Sequence, residues 1–160
     1  MDASKYTALF LAESREHLSS CNQLLLEWER DPSATGAVAG LFRSVHTLKG
    51  MAATMGFVRL ADLAHRAEDL LDSVRAGRLQ ADGDLIDLLF RTVDGLESGL
   101  EPAAAGRDGQ LDFAELTSAL DVAAGSPAPV PALAPKPRKR RAKADDQEPA
   151  PVRLSVSAPV

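Results

Sequence analysis

Four successive stretches of this chain repeat apolar residues at helical spacing, and the breaks between them are only a few residues long. Long amphipathic helices joined this tightly have to run back alongside one another, so the pattern predicts an antiparallel bundle. The first stretch runs from about Ser4 to Arg30, with Tyr6, Phe10, Cys21, Leu24, Leu25 and Trp28 on one face, and Asp31-Pro32 stops it. Ser33 or Thr35 is placed to cap the second, whose stripe is Leu41, Val45, Leu48 and Ala52 and whose end falls near Gly56, a residue at ease in the left-handed backbone of a helix C-terminus. The third carries Leu60, Leu63, Ala67, Leu70, Leu71 and Val74 and closes at Gly77. The fourth, from about Asp82 to Leu100, repeats the pattern through Leu85, Leu88, Leu89, Val93 and Leu96. An aromatic content of 4% is low for a sheet protein and agrees with an all-α domain.

A weaker fifth helix is predicted to begin near Asp112, where Asp112 and Glu115 have capping-box spacing, and to run through Leu116 and Leu120 to about Ala124. Residues 1–124 are therefore read as one domain. From 125 to 151 the chain turns rich in Pro and Ala with a basic run from Lys136 to Lys143, the composition of a disordered linker. Residues 152–160 open with the alternating Val152-Arg-Leu-Ser-Val156, read as the start of a truncated next domain, since a lone strand has no partner.

Charge separates the two parts. From Ser126 onward seven Lys/Arg face three Asp/Glu, leaving eleven against twenty in the helical part. An acidic domain argues against nucleic-acid binding, which needs clustered basic residues to neutralise phosphates. Lys5, Glu13, Arg15 and Glu16 interrupt the first helix, which excludes a signal-peptide core there, and no later stretch is apolar enough to span a bilayer. The expected location is cytoplasmic. The single cysteine, Cys21, lies on an apolar stripe and reads as a buried thiol. His17, on the same stripe near Phe10 and Cys21, reads as structural.

Chemistry concentrates in the second helix. Against its apolar stripe, at ~100° per residue, His46 falls roughly 130° away and Lys49 roughly 70° away, so the imidazole reaches solvent. His46, Lys49 and Gly50 stand at i, i+3 and i+4 on one side. Each suits phosphoryl transfer: a neutral imidazole is a nucleophile, an ammonium neutralises phosphoryl oxygens, and a glycine leaves room for a partner active site. On the third helix, His65 and Glu68 lie at i and i+3, at roughly 170° and 110° from the core stripe, placed to flank His46 if the two helices pack side by side. A Glu68 carboxylate accepting from Nδ1–H of His46 fixes the tautomer that leaves Nε2 free to attack.

The motifs His-Thr-Leu-Lys-Gly at 46–50, Met-Gly-Phe at 55–57 and Ala-His-Arg-Ala-Glu-Asp-Leu-Leu-Asp at 64–72 resemble the N-terminal histidine phosphotransfer (HPt) domain of the CheA chemotaxis histidine kinases. The resemblance covers about residues 1–124. It implies a four-helix bundle plus a fifth C-terminal helix. It also implies that Nε2 of His46 accepts phosphate from ATP held, with Mg²⁺, in a CheA kinase domain, and passes it to aspartates of CheY-like and CheB-like response regulators. By the same match Lys49, His65 and Glu68 support His46. This stretch alone is expected to bind no cofactor, to be a monomer, and to act as phosphoacceptor of a transferase whose catalytic domain lies elsewhere.

Other readings compete. An HPt module of a non-chemotaxis phosphorelay, or a helical adaptor with an incidental histidine, would share the bundle, and a metal-binding bundle would require His46 and His65 together. Asp108-Gly109-Gln110-Leu111-Asp112 with Glu115 has the look of half a calcium loop, but Ala104 and Gly106 stand where the first ligands belong. His65-x-x-Glu68 reverses the Glu-x-x-His order of di-iron bundles and occurs once. The basic run at 136–143 is read as solvated linker.

Overall fold

The computed structural model of the chain describes residues 3–33 and 35–125; the predicted linker and the strand-like terminus lie outside them. Five α-helices follow in order: α1 Ala3–Arg30, α2 Thr35–Thr54, α3 Val58–Arg75, α4 Gly83–Pro102 and α5 Ala114–Ala123. Helix α1 packs on α2 and α4, and α3 packs on α2 and α4, which closes the first four into a bundle; α5 lies across α3 and α4. The predicted stripes face inward. Leu41, Val45, Leu48 and Ala52 of α2 are buried, as are Leu60, Leu63, Ala67, Leu70 and Leu71 of α3 and Leu85, Leu88, Leu89, Val93 and Leu96 of α4.

The connections are local chemistry. After α2, Gly56 adopts a φ of 80°. Its N–H then donates to the Ala53 carbonyl (3.0 Å) and that of Phe57 to the Ala52 carbonyl (2.8 Å), the paired bonds that satisfy the last orphan carbonyls of a helix. The same pair recurs at Gly77, from Gly77 N–H to Val74 (3.1 Å) and Arg78 N–H to Ser73 (2.9 Å). Helix α4 begins at an Asp82 cap, whose carboxylate accepts from the Leu85 N–H at 2.9 Å.

Helix α3 is capped from a distance. Its own N-cap residue, Phe57, offers no side-chain bond. Asp108, in the turn after α4, accepts instead from the Arg59 N–H (2.9 Å) and the Leu60 N–H (3.2 Å). Arg59 returns a bond to the Leu111 carbonyl at 2.8 Å. The half calcium loop of the sequence is thus a helix cap for α3.

Several expectations need correcting. Helix α5 begins at Ala114, near Asp112 as expected, but no capping box forms: Asp112 accepts from the Ala114 N–H two residues on (3.1 Å), a tight side-chain turn. Ser33 donates its hydroxyl to Asp31 (2.6 Å). Tyr6 stands 49% exposed at the end of α1, beyond the reach of the core. His17 is half-buried beside the fully enclosed Leu18 and Cys21. Burial pushes the Cys21 thiol up to about 12 against a hydrogen bond with Ser44, so it stays protonated at neutral pH.

Candidate functional site

The α2–α3 interface builds the site. His46, one turn beyond the half-buried Phe42 of α2, faces out and its side chain is 61% exposed. Glu68, one turn before the buried Leu71 on α3, is only 10% exposed. The helices pack so that both polar groups of α2 descend on this one carboxylate: Nδ1 of His46 meets Oε2, and Nζ of Lys49 donates to Oε1 at 2.7 Å. An ionised carboxylate only accepts, so Nδ1 carries the proton in this contact, and in the neutral ring the lone pair is then on Nε2. Among the described residues Nε2 has no hydrogen-bond partner.

Burial acts to raise the Glu68 carboxyl, but the hydrogen bonds from Lys49 and His46 and their charges outweigh it and hold it below the usual carboxylate range. The site therefore presents a permanent buried anion behind an exposed imidazole at neutral pH. Lys49, about 29% exposed, offsets that anion while keeping part of its ammonium in water.

His65 is also brought to this end of the interface, but its contact is with its own helix: Nε2 lies 3.7 Å from Asp69 Oδ1, and both groups are largely exposed. Burial, then the neighbouring Glu68, raises the Asp69 carboxyl against the pull of His65, Lys49 and Arg66. His65, Glu68 and Asp69 offer ligand atoms within 4.8 Å of one another, whereas the metal reading needed His46 with His65. A cation there would have to displace Lys49 from Glu68, whose two oxygens are already engaged.

Gly50 is exposed, and a Cβ built on it would meet nothing within 4 Å. No demand of the fold explains a glycine in mid-helix. Beside it a groove of about 490 Å³ runs between α1 and α2, lined by Tyr6, Leu9, Phe10, Met51 and Met55, with His46 and Gly50 on its edge.

Phe42, and Arg75 beyond it, extend the surroundings of His46. Phe42, one turn earlier on α2, stacks with the imidazole, the ring planes 9° apart and the centroids 6.1 Å apart. The Arg75 guanidinium, from the end of α3, lies over the Phe42 ring at 3.9 Å from its centroid. Only the i, i+4 spacing of Phe42 and His46 could have suggested the first contact.

A bundle of four helices with a fifth laid across it, presenting one exposed histidine hydrogen-bonded to a buried glutamate, defines the class. The Hpt domain family model matches residues 5–121, and the chain belongs to that family. The chain is 43% identical over 122 residues to the chemotaxis protein CheA of Bacillus subtilis, a match that covers 76% of this chain and 18% of that protein. It is 36% identical to the CheA phosphotransferase domain from Thermotoga maritima, with a TM-score of 0.62, covering 64% of this chain and 98% of that one. A phosphorylated P1 domain of CheA3, solved in complex with CheY6 from R. sphaeroides, is 28% identical with a TM-score of 0.68, covering 76% of this chain and 96% of that one. The chain thus spans under a fifth of the B. subtilis relative and nearly all of the isolated domains. Among the described residues no helix is long and apolar enough to cross a membrane.

Proposed function

We propose that this chain is the phosphoryl-carrying domain of a CheA-type chemotaxis histidine kinase, working in the cytoplasm as a monomer. His46 is the acceptor, and the observation that carries the reading is its arrangement with Glu68: an exposed ring whose Nδ1 rests on a buried, lysine-paired carboxylate. Nε2 attacks the γ-phosphorus of ATP bound with Mg²⁺ in the kinase domain. An N–P bond forms, the bond from phosphorus to the β–γ bridging oxygen breaks, and ADP leaves with that electron pair. As the ring gives up electron density, positive charge grows on it and is shared with Nδ1–H, where the Glu68 carboxylate meets it. Lys49 stands one turn away to meet phosphoryl oxygens, and His65 lines the approach from α3.

The second half of the cycle transfers the phosphoryl group to an aspartate of a CheY-like or CheB-like receiver. The complex of the related P1 domain with CheY6 supports a receiver as partner. The apolar groove edged by His46 and Gly50 gives such a domain a surface continuous with the reacting atom. Catalysis belongs to the partner domains, and this chain supplies the acceptor and the charge that stabilises it.

The test is phosphate transfer from labelled ATP by a separately supplied CheA-type kinase core. The parent is expected to gain acid-labile label and His46→Gln to gain none while keeping its helical content. Label on the mutant, or none on the parent from a kinase proven on its own domain, refutes the assignment.

A further inference from the structure

We propose that Phe42, held in place by Arg75, is a positioning residue for the phosphoryl acceptor: its ring sets the plane of the His46 imidazole. The inference rests on His46 being the acceptor and adds a second constraint on it. A hydrogen bond at Nδ1 fixes one corner of the ring. The χ2 torsion of histidine is broad, so coupled χ1 and χ2 rocking still swings Nε2 through an arc about that corner. In-line attack tolerates only about 10–20° of misdirection.

The structure closes this freedom with an aromatic face. The Phe42 and His46 planes lie 9° apart at a centroid separation of 6.1 Å, inside the range in which offset rings attract. Phe42 is half-buried against the core, so its own position is set by packing. Arg75 lies on that ring at 3.9 Å and is anchored in turn by Asp72, whose Oδ1 accepts from it at 3.1 Å. Asp72, Arg75, Phe42 and His46 thus form a line of contacts from the C-terminal end of α3 to the acceptor, while Glu68 reaches the same ring from the middle of α3. One helix therefore grips the imidazole twice, once by hydrogen bond and once through a stacked phenyl group.

Arg75 is an unusual partner for structural reasons alone. Its side chain is half-exposed, and a surface ion pair with Asp72 three residues earlier contributes little. Its distinguishing contact is the flat guanidinium on Phe42, which a lysine does not reproduce.

The experiment combines NMR of the His46 ring protons with transfer kinetics from a separately supplied CheA-type kinase core, on the whole chain. Phe42→Leu is expected to remove the ring-current shift of the His46 protons. It should lower the saturated transfer rate about 5- to 20-fold, with KM for the chain within about twofold, because docking is untouched and only aim is lost. Phe42→Tyr, which keeps the face, should restore both readouts. Arg75→Gln, at a half-exposed site, should shrink the ring-current shift and slow transfer about two- to fourfold, and Arg75→Lys should not rescue it. Ring protons unmoved by Phe42→Leu, or a saturated rate unchanged in Phe42→Leu and Arg75→Gln, would overturn the proposal. A parent that accepts no phosphate overturns the function itself. The NMR comparison needs no kinase and tells that failure apart from an absent stack.

Discussion

Replacing Glu68 by Gln keeps the shape of the site and removes its charge, and the geometry assigns the consequence to two separate readouts. In the resting domain the carboxylate serves Nδ1 of His46 with one oxygen and Nζ of Lys49 with the other. Gln offers one acceptor oxygen. Turned toward Nδ1–H it leaves its NH₂ group against the Lys49 ammonium, two donors face to face, and Lys49, with 29% of its side chain exposed, turns to water. A hydrogen bond to a charged group contributes about 1.5–3 kcal/mol net and a neutral one about 1, so the fold should lose about 1–2 kcal/mol with the Lys49 contact. The rate responds to the other oxygen. Charge appears on the imidazole only as phosphate arrives, so the difference between a charged and a neutral acceptor at Nδ1, again about 1–2 kcal/mol, falls on the transition state and slows phosphorylation about 5- to 30-fold. Transfer kinetics at saturating chain and urea unfolding at pH 7 measure the two terms separately. A rate within twofold of the parent would refute the orienting role of Glu68, whatever the stability.

The pH dependence of that difference has a definite sign. The folded carboxyl lies below its ordinary value of 4.5. A depressed carboxyl stabilises the fold above its unfolded pKa, and the contribution disappears as pH falls through the folded one. The stability gap between parent and Glu68→Gln should narrow below about pH 4.5 and reach its minimum under acid conditions; a gap that widens as pH falls from 4.5 contradicts the assignment.

Further predictions follow from the surroundings of the site. Gly50→Ala should stabilise the domain by about 0.5–1 kcal/mol in thermal unfolding, since a Cβ there meets nothing and alanine favours a helix interior, yet slow phosphotransfer by crowding the partner; equal rates with either residue would show that Gly50 serves no approach. Asp108→Ala should cost about 1–2 kcal/mol by uncapping α3 while Asp108→Asn retains most of it, read as a melting shift of roughly 3–10 °C. Gly99→Ala should destabilise by about 1 kcal/mol despite its better helix propensity, because the new methyl would sit 2.9 Å from Leu60 and 3.0 Å from Phe113; calorimetry showing a gain would mean these side chains yield without cost.

The bundle was legible because its signals are local. Apolar spacing picked out Leu41, Val45, Leu48 and Ala52 as one buried face, and Gly56 and Gly77 sit with positive φ where the stripes end. The same periodicity put His46 outside. It placed Glu68 well off the core stripe, yet the side chain is nearly enclosed, because α2 leans over it and brings Lys49 and His46 down onto its two oxygens. That enclosure belongs to the pairing of helices and has no signature in α3 alone. The Asp108 cap failed to show for the same reason: its partners, Arg59 and Leu60, lie 49 and 48 residues away, and the nearby glycine and acids mimicked a calcium loop. Arg75 on Phe42 joins helix positions that no single-helix spacing relates.

The division of exposure between His46 and Glu68 fits the proposed role of a carrier. An acceptor that must enter two different active sites cannot own a pocket, so its nucleophilic nitrogen stands in solvent, where charge effects are screened. Placing the compensating carboxylate under the ring, out of water, keeps its field strong at Nδ1 without obstructing Nε2. Lys49 makes that burial tolerable by supplying the opposite charge at 2.7 Å. On the proposed reading the ring charge is fullest in the loaded state and declines as phosphate leaves, so Glu68 lowers the barrier to loading and holds the loaded state. Glu68→Gln should therefore slow arrival of phosphate from ATP without slowing its return to a receiver, shifting the balance away from the loaded domain; a transfer to the receiver slowed as much as loading would refute this account.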